Sequence, residues 1–109
     1  MTEQFVKMYQ FKLADKTNES SFLATSEKMD SFMKSQTGFL YRSLSRQEDG
    51  LWLDSFYFTD RAAAEAMEGR FEQFEEAGQF MMLIDPASVV VTKADIVSVA
   101  CTMGDAEAA

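Results

Sequence analysis

Residues 38–67, GFLYRSLSRQEDGLWLDSFYFTDRAAAEAM, constrain the fold of this chain more than any other stretch. Two strand-like runs, residues 39–47 and 51–59, flank Asp49-Gly50, and a helix signal begins directly after the second run. Asp-Gly tolerates φ > 0 at both central positions of a tight turn, so the segment reads as a β-hairpin. A two-residue turn sets Glu48 opposite Leu51. It puts Tyr41, Ser43 and Ser45 on one face with Trp52, Asp54, Phe56 and Phe58, and Arg42, Leu44 and Arg46 on the other with Leu53 and Tyr57. A four-residue loop over 47–50 changes the partners but keeps those faces.

The flanking segments supply the remaining elements. Residues 4–13 alternate as a first strand, with Phe5, Lys7, Tyr9, Phe11 and Leu13 on one side and Val6, Met8, Gln10 and Lys12 on the other. Asn18 is a fitting N-cap for a helix to Gln36, with Phe22, Met29 and Met33 on its apolar stripe and Gly38 as its stop. Asp60 caps a second helix running to about Ala77, with Ala63, Met67, Phe71 and Phe74 as its stripe and Gly78 at its end. Residues 79–84, QFMMLI, read as a short helical turn or an apolar lid. Residues 88–99 are rich in β-branched types and read as a fourth strand, interrupted near Ala94-Asp95. One domain over 1–103 is expected, followed by an acidic tail at 104–109.

Composition removes several classes of function. The formal net charge is −8, and no basic cluster exists to neutralise phosphates, so neither nucleic acid nor an anionic membrane surface is an expected partner. No apolar run is long enough to span a bilayer and the N-terminus lacks a signal-peptide pattern, so a cytoplasmic location is expected. The chain has no histidine, which excludes Ser-His-Asp and Cys-His catalysis and His-ligated zinc or haem. The single cysteine, Cys101, makes no disulfide framework and reads as an inert thiol. No cofactor and no metal are expected. Ten Phe and eight Met are more than one small monomer hides easily, which points to an additional buried surface, either a dimer interface or a ligand cavity.

Strand, helix, strand, strand, helix, strand is the order of a ferredoxin-like βαββαβ domain, an α+β fold whose four-stranded antiparallel sheet carries both helices on one face. The other face then bears Leu40, Leu44, Leu51, Leu53 and Tyr57, and a homodimer packed sheet on sheet buries it. On this reading Arg42 and Arg46 make intersubunit ion pairs, or one of them clamps a carboxylate-bearing ligand.

Thr37-Gly38-Phe39-Leu40 resembles the Pro-Gly-Phe entry to the second strand of the dimeric α/β-barrel superfamily, specifically its antibiotic-biosynthesis-monooxygenase-like domains. Residues 56–63, FYFTDRAA, are similar to that family's Glu-x-Trp-x-Asp/Ser-x-x-Ala, and the resemblance extends over residues 4–99. Phe58 stands where the family has Trp, Phe56 where it often has Glu, Met67 where a His is frequent, and Phe11 where haem-degrading relatives carry an Asn. With those polar positions apolar, haem degradation and His-assisted oxygenation are not expected.

The resemblance implies a cavity between sheet and helices. Its walls are expected to include Tyr9 and Phe11 from the first strand, and Phe39, Tyr41, Trp52, Asp54, Phe56 and Phe58 from the hairpin. Phe22, Met29, Met33, Met67 and Phe71 join from the helices. Stripes of this kind serve cores as readily as pockets. Asp54 is either wet at the hairpin end or a polar anchor or general base among aromatics. Two functions fit: a homodimer binding an elongated hydrophobic molecule, fatty-acid-like or polyketide-like, or a cofactor-independent monooxygenase or proton-transfer enzyme with Asp54, Tyr41 and Trp52 as its catalytic candidates. A pocketless structural dimer is the third possibility.

Overall fold

The computed structural model describes residues 3–100; Cys101 and the 104–109 tail lie outside them. Strand β1 (Gln4–Lys12) leads to helices α1 (Glu19–Lys28) and α2 (Asp30–Lys34). The hairpin β2 (Phe39–Arg46) and β3 (Leu51–Phe58) follows, then α3 (Arg61–Phe71), α4 (Glu75–Met82), a 3-10 turn at Pro86–Ser88 and β4 (Val90–Ile96). The sheet is antiparallel in the order β2-β3-β1-β4, the ferredoxin-like α+β arrangement.

Both expected N-caps form. The Asn18 carboxamide accepts from the Ser21 amide at 3.2 Å, and the Asp60 carboxylate accepts from the Ala63 amide at 2.8 Å, each satisfying a first-turn donor. The helices are more broken than a single stripe suggests. The first divides at Met29, and the second ends at Phe71 before the chain restarts at Glu75. Residues 79–82 are therefore the second half of α4, and Gly78 lies inside that helix rather than at its end. β4 pairs with β1 without interruption through Ala94 and Asp95.

The hairpin register differs from expectation by one residue. The Gln47 amide donates to the Leu51 carbonyl at 2.7 Å, closing a three-residue loop, Glu48-Asp49-Gly50, with Gly50 left-handed at φ +83°. Arg46 therefore faces Trp52, Leu44 faces Asp54 and Arg42 faces Phe56. A one-residue slip moves every side chain of a strand to the opposite face. Arg42, Leu44 and Arg46 turn towards the helices, and Tyr41, Ser43 and Ser45 turn away. An irregularity at Leu40 turns Phe39 back to the helix side, where it meets Phe58 edge-on at 5.9 Å. Within the chain Arg42 pairs with Asp54 and Arg46 with Glu19.

The core lies between sheet and helices. Phe11, Phe22, Trp52 and Phe80 form an aromatic cluster with centroid separations of 4.9–6.4 Å. Met29 and Met33 are buried beside it. A buried aromatic of this kind contributes about 1.5–3 kcal/mol. Among the described residues, no helix covers the outer face of the sheet.

Candidate functional site

Under α3 and α4 the helix side of the sheet is not filled. A cavity of about 890 Å³ opens there, walled by side chains from β1, β3, α3, α4 and β4. Strand alternation sends Lys7, Tyr9 and Phe11 from β1 and Asp54, Phe56 and Phe58 from β3 into the same space. α3 adds Ala64, Met67, Glu68 and Phe71, and α4 adds Phe80 and Met81, with Ile84 and Val89 beyond it. Val91 and Lys93 of β4 complete the rim.

Seven of the expected wall residues therefore line the cavity: Tyr9, Phe11, Asp54, Phe56, Phe58, Met67 and Phe71. Six others do not. Phe22, Met29 and Met33 are fully buried core, Trp52 is enclosed against Phe22, and Phe39 packs on Phe58. Tyr41 stands on the outer face, 54% exposed, its ring stacked on Tyr57 at 4.3 Å. The register slip accounts for Tyr41. The tight aromatic cluster accounts for Trp52 and Phe22.

Two charged pairs are built into this otherwise apolar region. Asp54, 2% exposed, receives two hydrogen bonds from Arg42, Nε to Oδ1 and Nη2 to Oδ2, each 2.7 Å. The remaining Arg42 nitrogen, Nη1, donates to Ser26 Oγ at 2.7 Å, and Asp30 lies 3.7 Å away. The guanidinium also sits 5.4 Å from the Phe56 ring and 5.6 Å from Phe80. Burial pushes the Asp54 carboxyl above its ordinary value and Arg42 opposes that push. A fork-shaped permanent cation bonded to both oxygens holds the carboxylate ionised at neutral pH and lowers its basicity.

The second pair is Lys7 with Glu68, joining β1 to α3 across the cavity. The Lys7 ammonium lies 5.1 Å from the centre of the Tyr9 ring. Burial lowers the Lys7 pKa, but hydrogen bonding to Glu68 and Tyr9 outweighs it and the net direction is up. Burial raises the Tyr9 phenol further than Lys7 lowers it. Both groups keep their protons at neutral pH, and the sheet wall of the cavity offers hydrogen-bond donors. Sequence reasoning missed Lys7 and Glu68 as wall residues. The available signal was Lys7 itself, a charged residue on the face that Phe5, Tyr9 and Phe11 share. Among the described residues no group of three or more Cys, Asp or Glu side chains is placed to hold a metal, and no helix is long and apolar enough to cross a membrane.

Sheet order and helix placement define a ferredoxin-like α+β fold, which solved structures of other proteins share. Among solved structures, SnoaB, a cofactor-independent oxygenase from Streptomyces nogalater, is similar over 90% of this chain and 97% of its own, with a TM-score of 0.75 and 14% identity. Rv0793 from Mycobacterium tuberculosis is similar over 90% of this chain and 99% of its own, at TM-score 0.72 and 17% identity. PA3566 from Pseudomonas aeruginosa is similar over 90% and 98%, at 0.67 and 13%. At these identities the likeness establishes the fold alone. No protein-family model and no curated protein matches the sequence.

Proposed function

We propose that this chain is a homodimeric small-molecule-binding protein that holds an elongated hydrophobic guest, fatty-acid-like or polyketide-like, between its sheet and its helices. The carrying observation is the cavity of about 890 Å³, walled by Phe, Met, Ile and Val side chains. Ligand sites have this size and character, apolar with a few placed polar groups. Met67 and Met81, with flexible thioethers, adapt to guests of irregular shape.

Native mass spectrometry of gently purified protein tests this reading, with an organic extract of the same sample analysed for the released compound. A bound lipid or polyketide is expected, and its removal lowers the melting temperature because the guest binds only the folded state. Protein that carries nothing, and whose melting temperature no hydrophobic compound raises, overturns the proposal.

A second reading is an oxygen-using or proton-transfer enzyme that acts on an aromatic substrate without a cofactor. It is favoured by the protonated Tyr9 phenol facing the cavity beside Lys7. SnoaB, with the same fold, is a cofactor-independent oxygenase. Oxygen uptake with anthrone-like phenols should fall in Tyr9→Phe and stay unchanged in Trp52→Phe, whose indole lies outside the cavity. Equal rates in wild type and both variants remove this reading.

A further inference from the structure

Apart from Asp54, which Arg42 neutralises, the two sides of the cavity carry opposite charge. Lys7 and Lys93 oppose each other in the β1–β4 ladder on the sheet wall, whereas Glu68 and Glu72 lie on and just beyond α3. Lys7 and Glu68 are paired, but they are unequal. The Lys7 side chain is 9% exposed and enclosed by the cavity wall, while the Glu68 side chain is 44% exposed at the rim. Glu68 can rotate into water with little loss of hydration. Lys7, held in the cavity wall, cannot follow it, and its ammonium is then left facing whatever enters the cavity. An acidic group entering the cavity can take the place that Glu68 leaves on the Lys7 ammonium.

We infer that Lys7 is an anion-recognition residue, and that the cavity takes a hydrophobic molecule bearing one acidic oxygen group, which exchanges with Glu68 on the Lys7 ammonium. This rests on the hydrophobic-guest reading above and adds the chemistry of the guest's polar end. The Tyr9 phenol lies next to Lys7 on the same wall and supplies a second donor. Asp54, the other carboxylate on the sheet wall, is held by both its oxygens on Arg42 and does not compete for Lys7. The apolar side chains of Met67, Phe71 and Ile84 receive the body of the guest. Glu68 then acts as a stand-in anion that keeps Lys7 neutralised while the cavity is empty.

Calorimetric titration of delipidated protein with decanoate, 1-decanol and 2-naphthoate separates the possibilities. Decanoate or 2-naphthoate should bind about tenfold or more tightly than 1-decanol, the ratio a charge-assisted hydrogen bond supplies. The tighter of the two acids tells an acyl chain from an aromatic body. Glu68→Gln removes the competing carboxylate, so acid binding should tighten several-fold with 1-decanol unaffected. Lys7→Met, which keeps the stem volume, should bring acid and alcohol to equal affinity, and Lys7→Arg should retain the preference. Thermal melts establish that each variant is folded. Equal binding of acid and alcohol by the wild type overturns the inference while leaving the cavity reading intact. A loss of acid binding in Glu68→Gln as large as in Lys7→Met also overturns it, because the pair is then a structural strut. No binding of any probe overturns both.

Discussion

Two buried cations, Arg42 and Lys7, are held in different ways, and the difference predicts different behaviour. Arg42 and Asp54 are both enclosed, with side chains 7% and 2% exposed. Removing one member leaves the other charged in an apolar core, which costs about 3–5 kcal/mol. Arg42→Leu should therefore lower unfolding free energy by about that amount at pH 7, measured by urea titration. The unpaired Asp54 then takes up a proton, and its folded pKa rises well above the unfolded value. In that case the native state binds more protons, and stability falls as pH rises between the two values, so the variant should be less impaired at pH 4 than at pH 7. The double variant Arg42→Leu/Asp54→Leu should regain most of the loss, since no orphan charge remains. Lys7–Glu68 is wetter. Hydrogen bonding to Lys7 lowers the Glu68 pKa from 4.5, so its contribution is present above that value and lost as pH falls through the lower folded value. At the alkaline end the Lys7 contribution is complete below 10.5 and lost as pH rises through the raised folded value. With Glu68 largely solvated, the pair is worth at most about 1 kcal/mol. Melting curves of Glu68→Gln should run slightly below wild type at neutral pH and converge with it as pH falls through the lowered folded value.

At the scale of elements, two glycines of equal φ do unequal jobs. Gly38 and Gly50 both lie at φ +83°. A Cβ on Gly38 would fall 2.5 Å from Ala63 Cβ and 2.8 Å from Thr59 Oγ1, so the β2 entry is pressed against the start of α3. A Cβ on Gly50 meets nothing within 4 Å. Gly50→Ala should cost only the left-handed backbone penalty of about 1–2 kcal/mol, whereas Gly38→Ala adds a steric clash and should cost clearly more in the same denaturation assay. This contrast bears on what could be read in advance. The Asp49-Gly50 signal located the hairpin correctly, and Asn18 and Asp60 marked helix starts, because turn and cap chemistry is local. Loop length is not local information: two and four residues preserve the faces, three invert them, and Asp-Gly is compatible with all of these. That ambiguity moved Tyr41 outward and brought Arg42 in to Asp54. The break between α3 and α4 was similarly hidden, since residues 61–77 keep an apolar stripe across it. The aromatic set on β1 and β3 was legible because its alternation does not depend on a turn.

For the molecule as a whole, the outer face of the sheet is where its charge is missing. Val6, Met8 and Gln10 of β1, Leu51, Leu53, Ser55 and Tyr57 of β3, Tyr41, Ser43 and Ser45 of β2, and Val90, Thr92 and Ala94 of β4 share that face. All are uncharged in a chain with 18 acidic and 10 basic residues, and among the described strand residues of that face only Lys12 at the strand end departs from this. A charge-depleted sheet face without a covering layer is the surface on which a second copy would close the proposed dimer, with the same patch on both subunits. Leu53, on the central strand β3, should then be decisive. Leu53→Asp would put a carboxylate from each subunit into the apolar contact and should give a monomer by sedimentation equilibrium, with the far-ultraviolet circular dichroism of the subunit retained. Salt supplies an independent check. Each subunit carries −8, so association brings like charges together, and added salt screens that repulsion while strengthening apolar burial. The wild-type dimer should therefore tighten between about 0.05 and 0.5 M salt, where an interface built on ion pairs would loosen. A Leu53→Asp protein that stays dimeric, or a wild type that dissociates as salt rises, would place the contact elsewhere and leave the outer face of the sheet to another partner.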